Sequence, residues 1–310
     1  GRPGPVLLDI PDDVQRMIID EKKLIKFTPN KVSKKNVKNT SKVIDLTNES
    51  SLDNIPKIDY DQIFHLAAWT RAGKFCSIYQ GDQWIINQKI NTNILNWWKI
   101  NCPKAKLIAF GTSASYAESF EMKEENYMKG IPHEKYYSYA MTKRMLLVGL
   151  ETLNKQFGMN YLYLIPSTIY GPNYHTDGRE FHFIYDIIRK ILDYKYDKKD
   201  IVLWGDGSQV RELIYIDDFV KILYELNNKI SNEITNISSG KFASIAEFAK
   251  ICCDIEKINQ NKINYDVNEF VGAKIKAMNI EKMNQNLKYK HKSYLKGIEA
   301  TINWFKKTFY

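Results

Sequence analysis

From residue 43 onward the apolar positions fall into two alternating rhythms. KVIDL, QIFHLAA, KLIAFG and YLYLIPSTIYGP are short runs of nearly unbroken apolar character. Such runs predict strands buried on both faces, as a parallel sheet requires. Between them, INQKINTNILNWWKI and YSYAMTKRMLLVGLETLNKQFG have helical length, and the second is amphipathic and closed by Gly158 as a C-cap. NESSLDNI predicts a short helix led by Asn48. Alternating strands and helices imply right-handed crossovers and an α/β fold built on a doubly wound parallel sheet. After the Gly171-Pro172 breaker the pattern changes to FHFIYDIIRKIL, DIVLWGDG, RELIYIDDFVKILYEL and ASIAEFAKICCDI. This predicts a smaller C-terminal lobe over the strand ends, where open α/β sheets take ligands. The expected division is an atypical segment at 1–42, a sheet domain at 43–172 and a substrate lobe at 173–310. Within the first, TPNKVSKKNVKNTSK at 28–42 is polar and basic, as a surface connection would be.

Charge and composition narrow the partners. The 310 residues carry a net charge of +9, from 45 Lys and Arg against 36 Asp and Glu. The lysines are scattered among Asn and Ile, and no groove-reading motif accompanies them, so nucleic acid is not the expected partner. No apolar run approaches the length of a membrane span, and no signal-peptide pattern opens the chain. Without an initiator Met, the sequence is expected to begin partway through a longer product. Cys76, Cys102, Cys252 and Cys253 have neither metal spacing nor a disulfide framework, and no metal site is expected. They suit buried core thiols in a reducing cytoplasm.

Three stretches carry candidate chemistry. Tyr139-Ala-Met-Thr-Lys143 sets a phenol and an ammonium four residues apart on one helical face. A free Tyr titrates near ~10 and is a poor base at neutral pH. A neighbouring ammonium stabilises the phenolate and makes the group a usable proton shuttle. The spacing alone equally fits a surface lysine beside a core tyrosine. FGTSASY places Ser113 at the tip of a buried strand, within reach of a ligand or simply in a turn. VLWGDGSQVRELIYIDDF sets Arg211 after a Gly-rich turn, where a planar guanidinium could grip phosphate oxygens. Asp217 and Asp218 read as a helix N-cap rather than as acids, because an apolar helical run follows.

In this order the stretches resemble the extended short-chain dehydrogenase/reductase family of NAD-dependent epimerases and dehydratases. Further matches are Asp45-Leu46, His65-Leu66-Ala67-Ala68, Asn87 opening NQKINTNIL, and IYGP at 169–172. VLWGDGSQVREL and the His182-containing FHFIYDIIRK are similar to GDP-fucose synthase-type members. The resemblance covers about residues 43–310 and implies a Rossmann-like cofactor domain, NAD or NADP as cofactor, and a nucleotide-diphosphate sugar as substrate. It implies Tyr139 as general acid/base at the sugar C4 oxygen, Lys143 on the nicotinamide ribose, and Ser113 hydrogen-bonding the same sugar oxygen. It implies Arg211 on the diphosphate, with Asn173 and Lys274 also beside substrate. Asp45, Leu46, Leu66, Ala67, Ala68, Asn87 and Pro166 would border the cofactor. His182 matches an epimerisation acid, yet the cysteine that partners it in that type is Ala114 here. Alanine exchanges no proton, so C3 and C5 epimerisation is not expected, and His182 reads either as a substrate contact or as a satisfied helix histidine. A homodimer through the Tyr139 helix and its neighbour is implied. Met145, Leu146 and Leu150 could line that bundle or pack on the sheet.

Family members open with a strand and a G-x-x-G-x-x-G turn that cradles pyrophosphate. No such motif stands before residue 43. GRPGPVLLDIPDDVQ, and the chain to about residue 26, instead resembles a fragment of acetolactate synthase-type thiamine-diphosphate enzymes. PVLLDI and KLIKF are strand candidates, and PVLLDI could take the place of the absent first strand. DIPDD would then set carboxylates where phosphate belongs, which is electrostatically unfavourable. The expected origin is a fused, rearranged or truncated gene product. Two functions are therefore open: a C4 oxidoreductase or epimerase, and a degenerate nucleotide-sugar-binding or scaffold protein.

Overall fold

The structure is a computed structural model that describes residues 6–8, 44–269 and 273–310. Among them, one five-stranded sheet runs in the order β1-β2-β3-β4-β8, with every pairing parallel. Its strands are β1 (Val6–Leu8), β2 (Gln62–His65), β3 (Lys106–Phe110), β4 (Tyr161–Pro166) and β8 (Glu233–Ile237). The short helix α1 (Phe75–Ile78) and the long α2 (Gln80–Asn101) connect β2 to β3. Helix α3 (Tyr137–Phe157) connects β3 to β4 and ends at Gly158, whose φ of 68° suits a residue without Cβ. Trp98, Ile94, Leu146, Leu147 and Leu150 pack against Ile63, Leu107 and Tyr163 to cover one sheet face. Each such burial contributes roughly 1.5–3 kcal/mol. Leu146 and Leu150 thus pack into the chain's own core, and Met145 is half-buried. The other face is covered by α5 (Ile216–Lys229) and α7 (Glu281–Asn286), through Phe219, Ile222, Leu226 and Met283.

The apolar run YLYLIPSTIYGP is two strands rather than one. Pro166 has no N–H to extend the ladder, and after Ser167 the chain leaves as β5 (Thr168–Tyr170). That strand pairs with β7 (Val210–Tyr215), which also pairs with β9 (Phe242–Ser244). A second small sheet joins β6 (Ile201–Trp204) to β10 (Ile263–Asp266). Helices α4 (Phe183–Asp197), α6 (Ile245–Glu256) and α8 (Tyr294–Phe309) pack around these strands, with Tyr185, Ile188, Phe248 and Phe305 at the centre. Residues 216–237 return to the large sheet, so the two lobes interleave along the chain.

Two further local expectations are corrected. Ile44 to Leu46, the described part of KVIDL, is not a strand. Asp45 accepts hydrogen bonds from Thr47 N (2.9 Å) and Oγ1 (2.7 Å), which turns the chain into the tight helix Glu49–Asn54 capped by Asn48. Asp217 and Asp218 lie in the first turn of α5, whose N-cap is Tyr215. Asp218 is buried and accepts from Tyr289 Oη (3.0 Å) and Lys292 N (2.7 Å). Within the thiamine-enzyme-like segment only Val6–Leu8 is described, as a strand running beside β2 with Leu8 level with His65. Asp9, Asp12, Asp13, KLIKF and the connection at 28–42 lie outside the described residues.

Candidate active site

A cleft of about 1250 Å³ opens between the lobes. One wall is built on β3 and α3. Gly111 carries the chain across the phenols of Tyr163 and Tyr127, where an added Cβ would come within 2.7 and 2.8 Å of them. Immediately beyond, a tight turn at Ser113–Ser115 is capped by Thr112, whose Oγ1 accepts from Ala114 N (3.2 Å). This turn presents Ser113 and Ala114 to the cleft. Tyr139 and Lys143 line the same cleft from consecutive turns of α3, with the Lys143 ammonium 6.0 Å from the Tyr139 ring centre. Lys143 is only 4% exposed. Leu66 and Pro166, at the ends of β2 and β4, line the cleft too.

The facing wall carries a pair of close cations, while Asp193, Asp197 and Asp186, which pairs with Lys190 (2.7 Å), also line the cleft. Arg211, on β7, donates from Nη1 to the carbonyls of Val210 (2.8 Å) and Ala273 (2.8 Å). Lys276 lies beside it, its ammonium 4.9 Å from the Tyr136 ring centre. Burial pushes the Lys276 amine down to about 8, and the charge of Arg211 pushes the same way, against Glu118 and Cys76. Burial also lowers Arg211 from its ordinary value. Two cations held close in a half-buried wall favour an anionic ligand, which would relieve both costs. Farther along, the indole of Trp204 stands between Lys74 (5.9 Å) and Lys190 (5.5 Å). His182 caps the start of α4 and faces the cleft.

Seven of the sequence-derived residues therefore meet in one cleft: Ser113, Tyr139, Lys143, His182, Arg211, Leu66 and Pro166. Others stand apart from it. Asp45 is exposed beside Thr47, whose hydrogen bonds hold its carboxyl below the usual range, and Leu46 is a core residue. Ala67 is buried in the core, and Ala68 is not among the lining residues. Asn87 shapes the turn after β2, accepting from Trp69 N (2.7 Å) and donating to Trp69 O (3.1 Å). Asn173 sits in a turn at φ 67°. Lys274 is exposed, and Lys276 takes the inward position two residues on. All four cysteines are free and buried, and Cys76 also lines the cleft. Lys74, Lys190, Trp204 and Lys276 are among the cleft residues that sequence reasoning missed. IVLW is apolar throughout, and its alternation of buried and exposed positions, which turns Trp204 outward, shows only in the structure.

A parallel sheet with a cleft at its strand ends, a Ser, Tyr and Lys on one wall and paired cations opposite, defines a nucleotide-using α/β enzyme. The model of the NAD dependent epimerase/dehydratase family matches residues 19–238, and the chain belongs to that family. It is an enzyme whose cofactor is NAD or NADP. GDP-L-fucose synthase of Escherichia coli strain K12 is 24% identical over 258 residues, covering 79% of this chain and 80% of that one. UDP-glucuronate 4-epimerase of Thermodesulfobacterium geofontis is 28% identical over 270 residues, 85% of this chain and 78% of that one. Among solved structures, a GDP-mannoheptose C4 reductase from Campylobacter jejuni with NADP bound superposes with a TM-score of 0.79 at 20% identity, over 98% of both chains. The described residues fit the nicotinamide half of such a cofactor: a buried ammonium and a phenol line the cleft together with the apolar Leu66 and Pro166. The turn that follows β1 lies outside the described residues.

Proposed function

We propose that the protein is an NAD(P)-dependent oxidoreductase or epimerase acting at C4 of a nucleotide-diphosphate sugar, with GDP-linked sugars the first candidates. The observation that carries this reading is the division of the cleft: Ser113, Tyr139 and Lys143 on one wall, Arg211 and Lys276 on the other. A nucleotide-diphosphate sugar carries a neutral sugar next to a doubly charged diphosphate, and that division suits it. The names of the relatives point the same way. The bound cofactor supplies or accepts hydride at the sugar carbon. In the reducing direction Tyr139 gives its proton to the C4 oxygen, and that oxygen becomes a hydroxyl. Ser113 donates a hydrogen bond to the same oxygen as charge builds on it. Lys143 holds the nicotinamide ribose and steadies the phenolate left on Tyr139. Arg211 and Lys276 grip the diphosphate, and Trp204 offers its face to the base. Ala114 has no proton to exchange, so C3 and C5 stay unchanged.

Incubating the purified chain with NADPH and a GDP-linked 4-keto sugar should deplete nicotinamide absorbance, with a UDP-linked sugar as comparison. Calorimetric binding of the sugar nucleotide without any absorbance change would instead support a binding protein. We propose a homodimer as the assembly. Leu146 and Leu150 are used inside the chain, whereas Trp84 and Ile85 on α2 are exposed and apolar. Sedimentation of the parent against a Trp84→Glu variant tests it, and a parent that runs as a monomer rejects it.

A further inference from the structure

Helix carbonyls normally accept one bond, from the N–H four residues on. Around the catalytic turn of α3 they accept additional ones from side chains. Thr142 O accepts from Asn91 Nδ2 of α2 (3.2 Å), and Lys143 O accepts from Tyr163 Oη of β4 (2.7 Å). The peptide units on both sides of the Lys143 side chain are thus gripped from outside the helix, by two different elements. One turn earlier, Ala140 O accepts from Ser115 Oγ (3.1 Å).

Each grip is itself backed by a buried partner. Asn91 must present Nδ2 to a carbonyl, so its Oδ1 accepts, and His65 Nε2 at 3.1 Å carries the proton. His65 is fully buried and is held neutral, its imidazole pushed down to about 4 by burial and then by the Lys143 charge. Tyr163 Oη sits 3.0 Å from Tyr127 Oη, and burial keeps both phenols protonated. The groups that bear on this turn are therefore His65 from β2, Tyr163 and Tyr127 from the sheet side, and Tyr139 on the helix itself. His65, Tyr163 and Tyr127 are neutral and fixed in the core, and the charged neighbour on the helix is the buried Arg144, which donates to the carbonyls of Ser115, Lys129 and Gly130.

We propose that Asn91 and Tyr163, braced by His65 and Tyr127, are positioning residues for Lys143, fixing where its ammonium meets the cofactor ribose and the Tyr139 phenol. This rests on the C4 oxidoreductase reading for its catalytic half. Its binding half concerns only the dinucleotide. Losing either grip leaves the helix in place with a lysine no longer registered against the cofactor.

The test uses Tyr163→Phe and Asn91→Leu, with Trp98→Phe as control. The control removes a buried bond of the same core, from Trp98 Nε1 to Ala105 O (2.9 Å), far from the turn. NADPH binding followed by fluorescence should weaken about five- to tenfold in each of the two variants, as one lost buried hydrogen bond implies. The control should stay within about twofold. Where the parent turns over, kcat should fall more than KM rises, and the ionisation limb of its pH profile should move to higher pH in the two variants alone. Parent-like NADPH affinity in Tyr163→Phe and Asn91→Leu overturns the proposal, as does an equal loss in Trp98→Phe. Should Asn91→Leu fail to fold, Tyr163→Phe decides the matter, because it deletes one oxygen and keeps the ring. A parent without turnover sinks the C4 reading only, and the fluorescence result still stands.

Discussion

The two walls of the cleft are held differently. On the α3 wall Asn91, Tyr163 and Ser115 each bond a carbonyl of the turn that carries Tyr139 and Lys143, and the buried Arg144 guanidinium ties the same helix to the carbonyls of Ser115, Lys129 and Gly130. The β7 wall keeps Arg211 and Lys276 close together, and burial first, then the Arg211 charge, lowers the Lys276 amine. On the proposed reading, the bonded turn is where a proton is delivered to one atom, and the paired cations are where a charged ligand binds. The first wall should therefore govern rate, and the second affinity.

The largest effect expected from that contrast is at Tyr139. Tyr139→Phe should lower kcat about 10³-fold while leaving ligand affinities nearly unchanged, measured by steady-state nicotinamide absorbance. A comparable loss in affinity would erase the distinction between the walls. Arg211→Ala should do the reverse, raising KM for the sugar nucleotide about 30-fold with kcat largely kept, and Arg211→Lys should fall between. Lys276→Met should weaken binding about tenfold at neutral pH. Its pH dependence sharpens the comparison further. The free ammonium is lost as pH rises through about 8, so parent affinity should decline above that point while the variant's stays flat. The sign for stability is opposite. The unfolded chain holds this proton up to 10.5 and the folded chain only to about 8, so stability rises with pH across that window. Melting curves of parent and Lys276→Met should show this slope and its loss. The smallest effect is a null one at Ala114. Turnover in deuterated water should leave C3 and C5 free of deuterium by mass spectrometry, and incorporation there would reveal another base.

What the sequence disclosed follows how local each feature is. Tyr139 and Lys143 share a face because four residues span one helical turn, and Ser113 follows directly from the end of β3. The alternating rhythm likewise disclosed the doubly wound sheet. Lys276 was hidden because its place depends on non-local register. The bonds from Val210 N to Lys274 O (2.9 Å) and from Lys276 N to Val210 O (3.1 Å) bring Lys276 beside Arg211 and leave Lys274 exposed. The end of the YLYLIP strand was hidden for the same reason, since β5 departs to meet β7, more than forty residues on. Asn87 was recognised but its task was not. It bonds the backbone of Trp69, and no local pattern reveals that partner. KVIDL misled because apolar content outweighed the Asp45–Thr47 turn.

The central claim is that Tyr139 and Lys143 serve a hydride transfer at C4 of a sugar held by the facing cations. The direct measurement is transfer from NADPH deuterated on the nicotinamide ring to a GDP-linked 4-keto sugar, read by NMR of the product. Deuterium should appear at C4 with the parent and be lost with Tyr139→Phe. A parent that binds both molecules yet leaves C4 without deuterium would contradict the account.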